Sequence, residues 1–88
     1  MPEKLTLSNG AELENSSAIF STDLFLYIRG ETLKDVFDLL IDPENTETIV
    51  YTQINGEKLT FTGFDKLIAV RDECNGMITA VLRKEVIL

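Results

Sequence analysis

The 88-residue sequence contains no histidine, which narrows the chemistry available to it. Histidine is the commonest general base near neutral pH and the commonest metal ligand. The single cysteine, Cys74, has no imidazole to activate it, and its neighbours Asp72 and Glu73 are carboxylates rather than cations. We therefore expect Cys74 to be structural or incidental, and one cysteine cannot form an intrachain disulfide.

Basic residues and long apolar runs are also scarce. The chain has 8 Lys and Arg against 15 Asp and Glu, and its formal net charge is −7. Nucleic acids and anionic membrane surfaces are bound through clustered Lys and Arg, so neither is expected as a partner. The longest apolar run, Leu24 to Ile28, is too short to cross a bilayer, and the start MPEKLTLSNG lacks the apolar region of a signal peptide. We expect a cytoplasmic protein.

Motifs that carry catalysis or bind cofactors are missing from the sequence. There is no Gly-rich phosphate loop and no Gly-x-Ser-x-Gly elbow. The acidic segment Asp35–Glu47 is a poor calcium loop, because Thr46 and Glu47 stand where ligand and glycine positions are needed. We expect it to be a solvated face and turn, with a metal or basic-partner site as the alternative. No enzyme activity, cofactor or metal is predicted.

One helix is predicted in the middle of the chain, over residues 32–41. Its apolar residues recur at i, i+3, i+4 and i+7: Leu33, Val36, Phe37 and Leu40. Thr32 and Asp35 form a start resembling a capping box, and Pro43 ends the helix near Ile41. A helix this short is not stable alone, so we expect it to pack on a sheet.

Three Asn-Gly pairs predict tight hairpin turns, because both central residues of a type I′ turn need positive φ. A two-residue turn at Asn55-Gly56 pairs Thr52 with Leu59. The same register collects four apolar residues on one face: Val50, Ile54, Leu59 and Phe61. The register is predicted strongly, because a slip of one residue would move all of them to the other face.

The other two pairs predict hairpins at each end of the chain. Asn75-Gly76 pairs Val70 with Val81 and, further out, Lys66 with Glu85. Asn9-Gly10 brings Leu5 and Leu7 back toward Leu13, so residues 1–14 are predicted to form an N-terminal hairpin arm. Gly63 is expected to make the bend between the second and third hairpins.

These elements predict an α+β fold in one domain, residues 1–88. Residues 17–29 add one or two strands, with a break at residues 21–23. After the break Leu24, Leu26 and Ile28 are predicted to face one way and Phe25 and Tyr27 the other. The predicted sheet is mostly antiparallel, with about six strands in hairpins, and is a curved sheet or half-closed barrel. The central helix, residues 32–41, packs on it.

Five residues are predicted as protein contacts. Tyr27, Ile49 and Tyr51 fall on faces opposite the main apolar set, so they are either an exposed patch or covered by a second layer. Asn9 and Gly10 lie at the tip of the predicted arm, from which they could reach a partner. The remaining aromatic residues are spread evenly and are expected mostly in the core.

The order of the motifs resembles a family of small proteins encoded among tail and baseplate genes of bacteriophages and prophages in low-GC Gram-positive bacteria. The resemblance begins with a Leu-x-Leu-x-Asn-Gly-x-x-Leu start, formed by Leu5, Leu7, Asn9, Gly10 and Leu13. It continues with an acidic helix that exits at Asp42–Thr46 and a Thr-Gly-Phe segment at Thr62–Phe64. The family has no catalytic residues to transfer.

Together these features lead to two functional hypotheses. The first is a non-enzymatic structural or assembly protein, derived from a phage or prophage and associated with the tail, either in the host cytoplasm or on the virion. It would act through protein–protein contacts, with itself as a homo-oligomer or with other assembly components. The second is a small module that holds a ligand or a basic peptide between helix and sheet.

Overall fold

The computed structural model describes residues 3–84, in which eight strands and two short helices alternate with turns. In chain order the elements are β1 (Lys4–Thr6), β2 (Glu12–Glu14), β3 (Ser17–Phe20), β4 (Leu24–Arg29), α1 (Leu33–Leu40), α2 (Pro43–Thr46), β5 (Thr48–Thr52), β6 (Lys58–Thr62), β7 (Lys66–Asp72) and β8 (Met77–Arg83). In this part of the chain, no helix is long and apolar enough to cross a membrane.

The strands form two antiparallel four-stranded sheets. Sheet 1 has the order β2-β1-β5-β6, and sheet 2 has the order β3-β4-β8-β7. The prediction of one curved sheet or half-closed barrel of about six strands, with a central helix packed on it, is therefore wrong. Strands hold 49 % of the described residues and helices 15 %, so the fold is mostly β. Turn signals encode local hairpins, but not the long-range pairing of β1 with β5 and of β4 with β8.

The chain changes from one sheet to the other three times, once through the two helices between β4 and β5 and twice at short connections. Asn15 and Ser16 lead from β2 to β3. Asn15 adopts a φ of 56°, and its N–H donates to the carbonyl of Glu3 over 2.8 Å. The buried hydroxyl of Ser16 accepts the N–H of Arg29 over 3.3 Å. Gly63–Asp65 lead from β6 to β7. Each short connection therefore joins an edge strand of sheet 1 to an edge strand of sheet 2.

The core lies between the two sheets. Leu24, Leu26 and Ile28 share one face of β4, as predicted; this is the inner face, and all three are fully buried. The predicted break at residues 21–23 is also confirmed, because β3 and β4 form a hairpin around it. The remaining buried apolar residues are Leu5, Leu7, Leu13, Ala18, Val36, Leu40, Ile49, Phe64, Ile78, Ala80 and Leu82.

Helix α1 begins and ends where the sequence predicts. Thr32 is the N-cap, and its hydroxyl accepts the N–H of Asp35 over 3.2 Å. Ile41 is the C-cap, and Pro43 then starts the single turn α2. Asp42 caps that turn by accepting the N–H of Glu44 over 3.0 Å.

The packing of α1 differs from the prediction. Only Val36 and Leu40 of the predicted apolar face enter the core, whereas Leu33 and Phe37 remain 40 % and 42 % exposed. The helix contacts β7 of sheet 2 and lines a groove with residues 11–13 of sheet 1. Because the two sheets already cover each other, the helix buries only a narrow stripe at their margin.

The turn at Asn55-Gly56 has three residues rather than two. The N–H of Gly56 donates to the carbonyl of Gln53 over 2.9 Å, and Gly56 has a φ of 87°, whereas Asn55 keeps a negative φ. This is a type I turn followed by a left-handed glycine, not the predicted type I′ turn. The Asn55 side chain instead accepts the N–H of Glu57 over 3.0 Å.

The extra turn residue moves the pairing of β5 with β6 by one position. The structure pairs Tyr51 with Leu59 and Ile49 with Phe61, so the predicted register is wrong. Because side chains alternate, Ile49 and Tyr51 share the inner side of sheet 1 with their partners, and Val50 lies on the other side.

The hairpin at Asn75-Gly76 is also one position from its predicted register. Val70 pairs with Ala80, and after a bulge at Ile68 Lys66 pairs with Arg83. Lys66 was predicted to face Glu85, which lies outside the described residues. In this turn the N–H of Glu73 donates to the carbonyl of Met77 over 3.0 Å, Cys74 takes a positive φ of 62°, and its side chain is exposed.

The N-terminal hairpin belongs to sheet 1 and does not project as an arm. Leu5 and Leu7 come back toward Leu13 as predicted; Leu5 pairs with Leu13, and all three are buried. Strand β1 also pairs along its whole length with β5. Its turn repeats the geometry of the Asn55-Gly56 turn, with Gly10 at a φ of 86°.

Candidate functional site

The five residues predicted as protein contacts do not form one surface. Asn9 and Gly10 are exposed at the tip of the first hairpin. Tyr27 is half-buried on the outer side of sheet 2, between Ser17 of β3 and Thr79 of β8. The other two predicted contacts, Ile49 and Tyr51, are on β5 and lie on the inner side of sheet 1.

Neither predicted contact on β5 is free on the surface. Ile49 is 0 % exposed and is part of the core. Tyr51 is half-buried, and its hydroxyl donates to the carboxylate of Glu3. This hydrogen bond, together with burial and the negative charge of Glu3, raises the pKa of Tyr51 to about 12. Tyr51 therefore ties the start of the chain to sheet 1.

The tip of the first hairpin is also held in place. The N–H of Ser8 donates to the carbonyl of Asn45 over 3.0 Å. The Ser8 hydroxyl donates to the carbonyl of Thr48 over 3.0 Å and accepts its N–H over 2.7 Å. These bonds fix the residue that precedes Asn9, so the tip is presented in one position.

A cluster of three aromatic rings, here called the phenylalanine patch (Phe20, Phe61 and Phe64), lies between the two sheets at one edge. The Phe20 and Phe64 rings meet edge to face, with centroids 5.4 Å apart. The Phe61 centroid lies 6.4 Å from that of Phe20 and 6.3 Å from that of Phe64. Such tilted geometries are the favourable ones for aromatic pairs.

Local turns bring the three rings together. Phe61 and Phe64 flank Gly63, whose φ of 81° turns the chain from β6 into β7. A Cβ atom at Gly63 would lie 3.1 Å from Cε of Lys84, so a larger residue would be both strained and crowded. Phe20 is the last residue of β3 and reaches the other two rings from sheet 2.

An ion pair positions the third ring. The Arg83 guanidinium donates two hydrogen bonds to Asp23, of 2.9 and 3.0 Å, and so holds the Phe20–Asp23 turn against β8. These bonds hold the pKa of the Asp23 carboxyl below its usual range. The next residue, Lys84, places its Nζ atom 5.3 Å from the centroid of the Phe64 ring, a cation–π distance.

The phenylalanine patch is open to solvent. Phe64 is buried at its base, but Phe20 is 55 % exposed. A cavity of about 230 Å³ opens there, lined by Phe20, Thr60, Phe61, Thr62, Phe64 and Lys84. On the same strand as Phe61, Leu59 is 45 % exposed. This patch was not predicted, because the aromatic residues are spread along the whole chain; the available signal was that each of these three rings lies close to a turn.

A second depression, here called the α1 groove, lies between α1 and sheet 1. Its volume is about 210 Å³. Its lining combines the apolar residues Leu13, Val36 and Leu39 with three acidic residues: Glu12, Glu31 and Asp35. The carboxylate of Glu12 is paired with Lys4, so Glu31 and Asp35 supply the remaining negative charge, here called the acidic rim.

Groups suited to metal binding are not gathered among residues 3–84, where no cluster of three or more Cys, Asp or Glu side chains is placed to hold an ion. The acidic segment Asp35–Glu47 runs from α1 through α2, where Asp42 is the N-cap. Comparison with protein-family models, with curated proteins and with solved structures gave no match, so these comparisons assign no family to the chain.

Proposed function

We propose that this chain is a non-enzymatic assembly protein and that it acts through protein–protein contacts made by the phenylalanine patch. The supporting observation is the exposure of Phe20, a large apolar side chain left 55 % in water beside two further rings. An 88-residue domain has a thin core and gains from burying such a side chain. A grouped, exposed apolar surface is typical of a protein contact site.

The setting of this assembly is proposed from the sequence resemblance. The Leu-x-Leu-x-Asn-Gly start and the Thr-Gly-Phe segment at Thr62–Phe64 resemble the phage tail-region proteins. The Thr-Gly-Phe motif contributes Phe64 to the phenylalanine patch, and Phe61 immediately precedes the motif. Two of the three rings of the patch therefore lie in or beside a segment that carries the resemblance. The partners proposed are therefore tail or baseplate components, in the host cytoplasm or on the virion.

A matched pair of variants tests the proposal. Phe20→Ser removes the exposed ring of the patch, and Ile19→Ser changes a neighbour that is 57 % exposed on the opposite side of β3. Each tagged protein is incubated with lysate from the host strain, and captured proteins are identified by mass spectrometry. We expect tail components to be captured by the wild-type chain and Ile19→Ser, and lost with Phe20→Ser. Capture that survives Phe20→Ser would remove the patch from the proposal.

The α1 groove supports a second candidate function, the binding of a basic peptide. Its apolar lining suits the stem of a Lys or Arg side chain, and its acidic rim suits the charged end. Fluorescence anisotropy with a labelled Lys- and Leu-rich peptide tests this, with Glu31→Lys at the rim and Glu57→Lys, in the distant β5–β6 turn, as control. Binding weakened equally by both substitutions would reflect only the overall charge of −7.

A further inference from the structure

The edge of sheet 1 formed by β6 is open, and its backbone groups are available for pairing. In sheet 1, β6 is the last strand and pairs only with β5. The N–H of Gln53 donates to the carbonyl of Glu57, and hydrogen-bonded pairs alternate along an antiparallel ladder. Leu59 and Phe61 therefore direct their backbone groups toward β5. The intervening residues direct theirs outward: Lys58, Thr60 and Thr62.

Among the four described sheet edges, β6 is the one without a device that blocks pairing. Natural edges are protected by shortness, by charges, by proline or by bulges. The edge strands β2 and β3 have 3 and 4 residues. Strand β7 carries a bulge at Ile68 and several charged side chains. In contrast, β6 has 5 residues, an unbroken register and one charge, Lys58 at its start.

The sequence of β6 complements itself about its centre. With Thr60 opposite Thr60 of a second copy, Lys58 lies opposite Thr62, and all three outward-facing residues find hydrogen-bonding partners. Leu59 then faces Phe61 in the non-hydrogen-bonded positions, where side chains approach most closely. A shift of four residues toward the strand start would place the two Lys58 side chains opposite each other, which is unfavourable.

The charge around β6 is suited to a second copy of the same chain. Residues 53–66 contain two acidic and two basic residues and sum to zero, although the whole chain carries −7. Elsewhere the acidic excess would repel a second copy, whereas at this edge repulsion is least. The half-exposed Leu59 lies on this strand and would pack against Phe61 of the second copy, while Phe20, which belongs to β3, stays outside the pairing.

We infer that the partner at this edge is a second copy of the chain, joined β6 to β6 in antiparallel orientation about Thr60. The inference rests on the proposed function and names one partner, which pairs with the strand that carries Phe61. Sheet 1 of one copy and sheet 1 of the other then form one continuous sheet of eight strands. Five paired residues bury less than the roughly 800 Å² per partner of a standard interface, so the dimer forms reversibly as concentration rises.

Sedimentation velocity over a concentration series tests the pairing with one matched pair of variants. Thr60→Pro removes an outward N–H that β5 does not use, so the domain keeps its fold while the edge loses its central donor. Thr60→Ala keeps that N–H. We expect the wild-type chain and Thr60→Ala to dimerise and Thr60→Pro to remain monomeric, with unchanged circular dichroism for all three. A dimer that persists in Thr60→Pro would overturn the inference.

Disulfide trapping tests the register independently. In a Cys74→Ser background, Thr60→Cys brings two thiols opposite each other, and a Cα separation of about 5.5 Å permits a disulfide. Thr62→Cys, also exposed, faces Lys58 instead and serves as control. We expect rapid covalent dimers only from Thr60→Cys, and equal trapping by both would contradict the register.

The proposed function and this inference fail in different ways. If the wild-type chain stays monomeric at every concentration but still captures tail components through Phe20, the inference is wrong and the proposed function stands. If it dimerises through β6 and captures nothing in a Phe20-dependent way, the pairing stands, and the proposed tail contacts of the patch are wrong.

Discussion

Strands β4 and β6 each direct alternate apolar side chains toward the space between the sheets, but their surroundings are very different. In β4, which lies between β3 and β8, Leu24, Leu26 and Ile28 are 0 % exposed. In β6, which has a neighbour on one side only, Leu59 is 45 % exposed. Alternation decides which side chains share a face, and the position of a strand in its sheet decides whether that face is covered. The same pattern therefore gives a core in one place and a contact surface in the other.

The largest expected difference between the two strands is in unfolding free energy. Leu26→Ala leaves a cavity in a fully buried position, and such substitutions cost about 2–5 kcal/mol. Leu59→Ala removes a half-exposed side chain and should cost less than about 1 kcal/mol. Urea unfolding followed by circular dichroism measures both. Similar losses in the two variants would contradict the contrast between core strand and edge strand.

The turn that sets the register of β6 gives the next effect. Gly56→Val forces a branched residue to a φ of 87°, which should cost about 1–3 kcal/mol. No atom lies within 4 Å of the added Cβ, so the loss comes from backbone conformation and not from a clash. Gly56→Asn should lose clearly less, because Asn tolerates this conformation. The melting temperatures of the two variants are compared, and equal values would argue against a left-handed glycine here.

A smaller effect is expected at high pH, at Tyr51 beside β6. The folded protein holds the Tyr51 proton up to a pKa of about 12, above the usual value of 10.0. This contribution to stability is therefore complete below about pH 10 and is lost as pH rises toward 12. In a Tyr27→Phe background, tyrosinate absorbance should show a midpoint near pH 12, and adding Glu3→Gln should lower it. A midpoint of 10 with Glu3 present would contradict the hydrogen bond.

The smallest effect is expected at the Asp23–Arg83 ion pair, which holds the end of β3 against β8. The pKa of Asp23 is lowered in the folded state, so its contribution is present above the unfolded value of about 4 and is lost as pH falls. The pair is on the surface, and the change should be slight. Melting temperatures from pH 7 to pH 2 should fall less steeply for Asp23→Asn than for the wild-type chain.

Sequence patterns predicted the local structure well. The span and cap of α1, the hairpin around residues 21–23 and the bend at Gly63 were each encoded by residues close together in the chain. The grouping of Leu24, Leu26 and Ile28 on one face of β4 was also predicted, because side chains alternate along a strand. These features depend on propensity and periodicity, which act over a few residues.

What could not be predicted depends on distant or subtle geometry. An Asn-Gly pair fits a two-residue turn or a type I turn with a left-handed glycine, and the choice moved Ile49 and Tyr51 to the inner side of sheet 1. Two sheets instead of one follow from strand pairs far apart in the chain. The phenylalanine patch depends on those pairs too, since Phe20 meets Phe61 and Phe64 only when the sheets face each other.

The long-range strand pairs also have a consequence for how the chain folds. Leu24 pairs with Leu82 in sheet 2, and Lys4 pairs with Thr52 in sheet 1, so each pairing joins segments at least half the chain apart. Closing such loops costs entropy before any contact repays it, and folding should take milliseconds to seconds. The β5–β6 hairpin, which is local, can form much earlier. Between the formation of this hairpin and the completion of the long-range pairs, the open edge of β6 is available to neighbouring chains. The chain therefore exposes β6 before the core that supports it is complete.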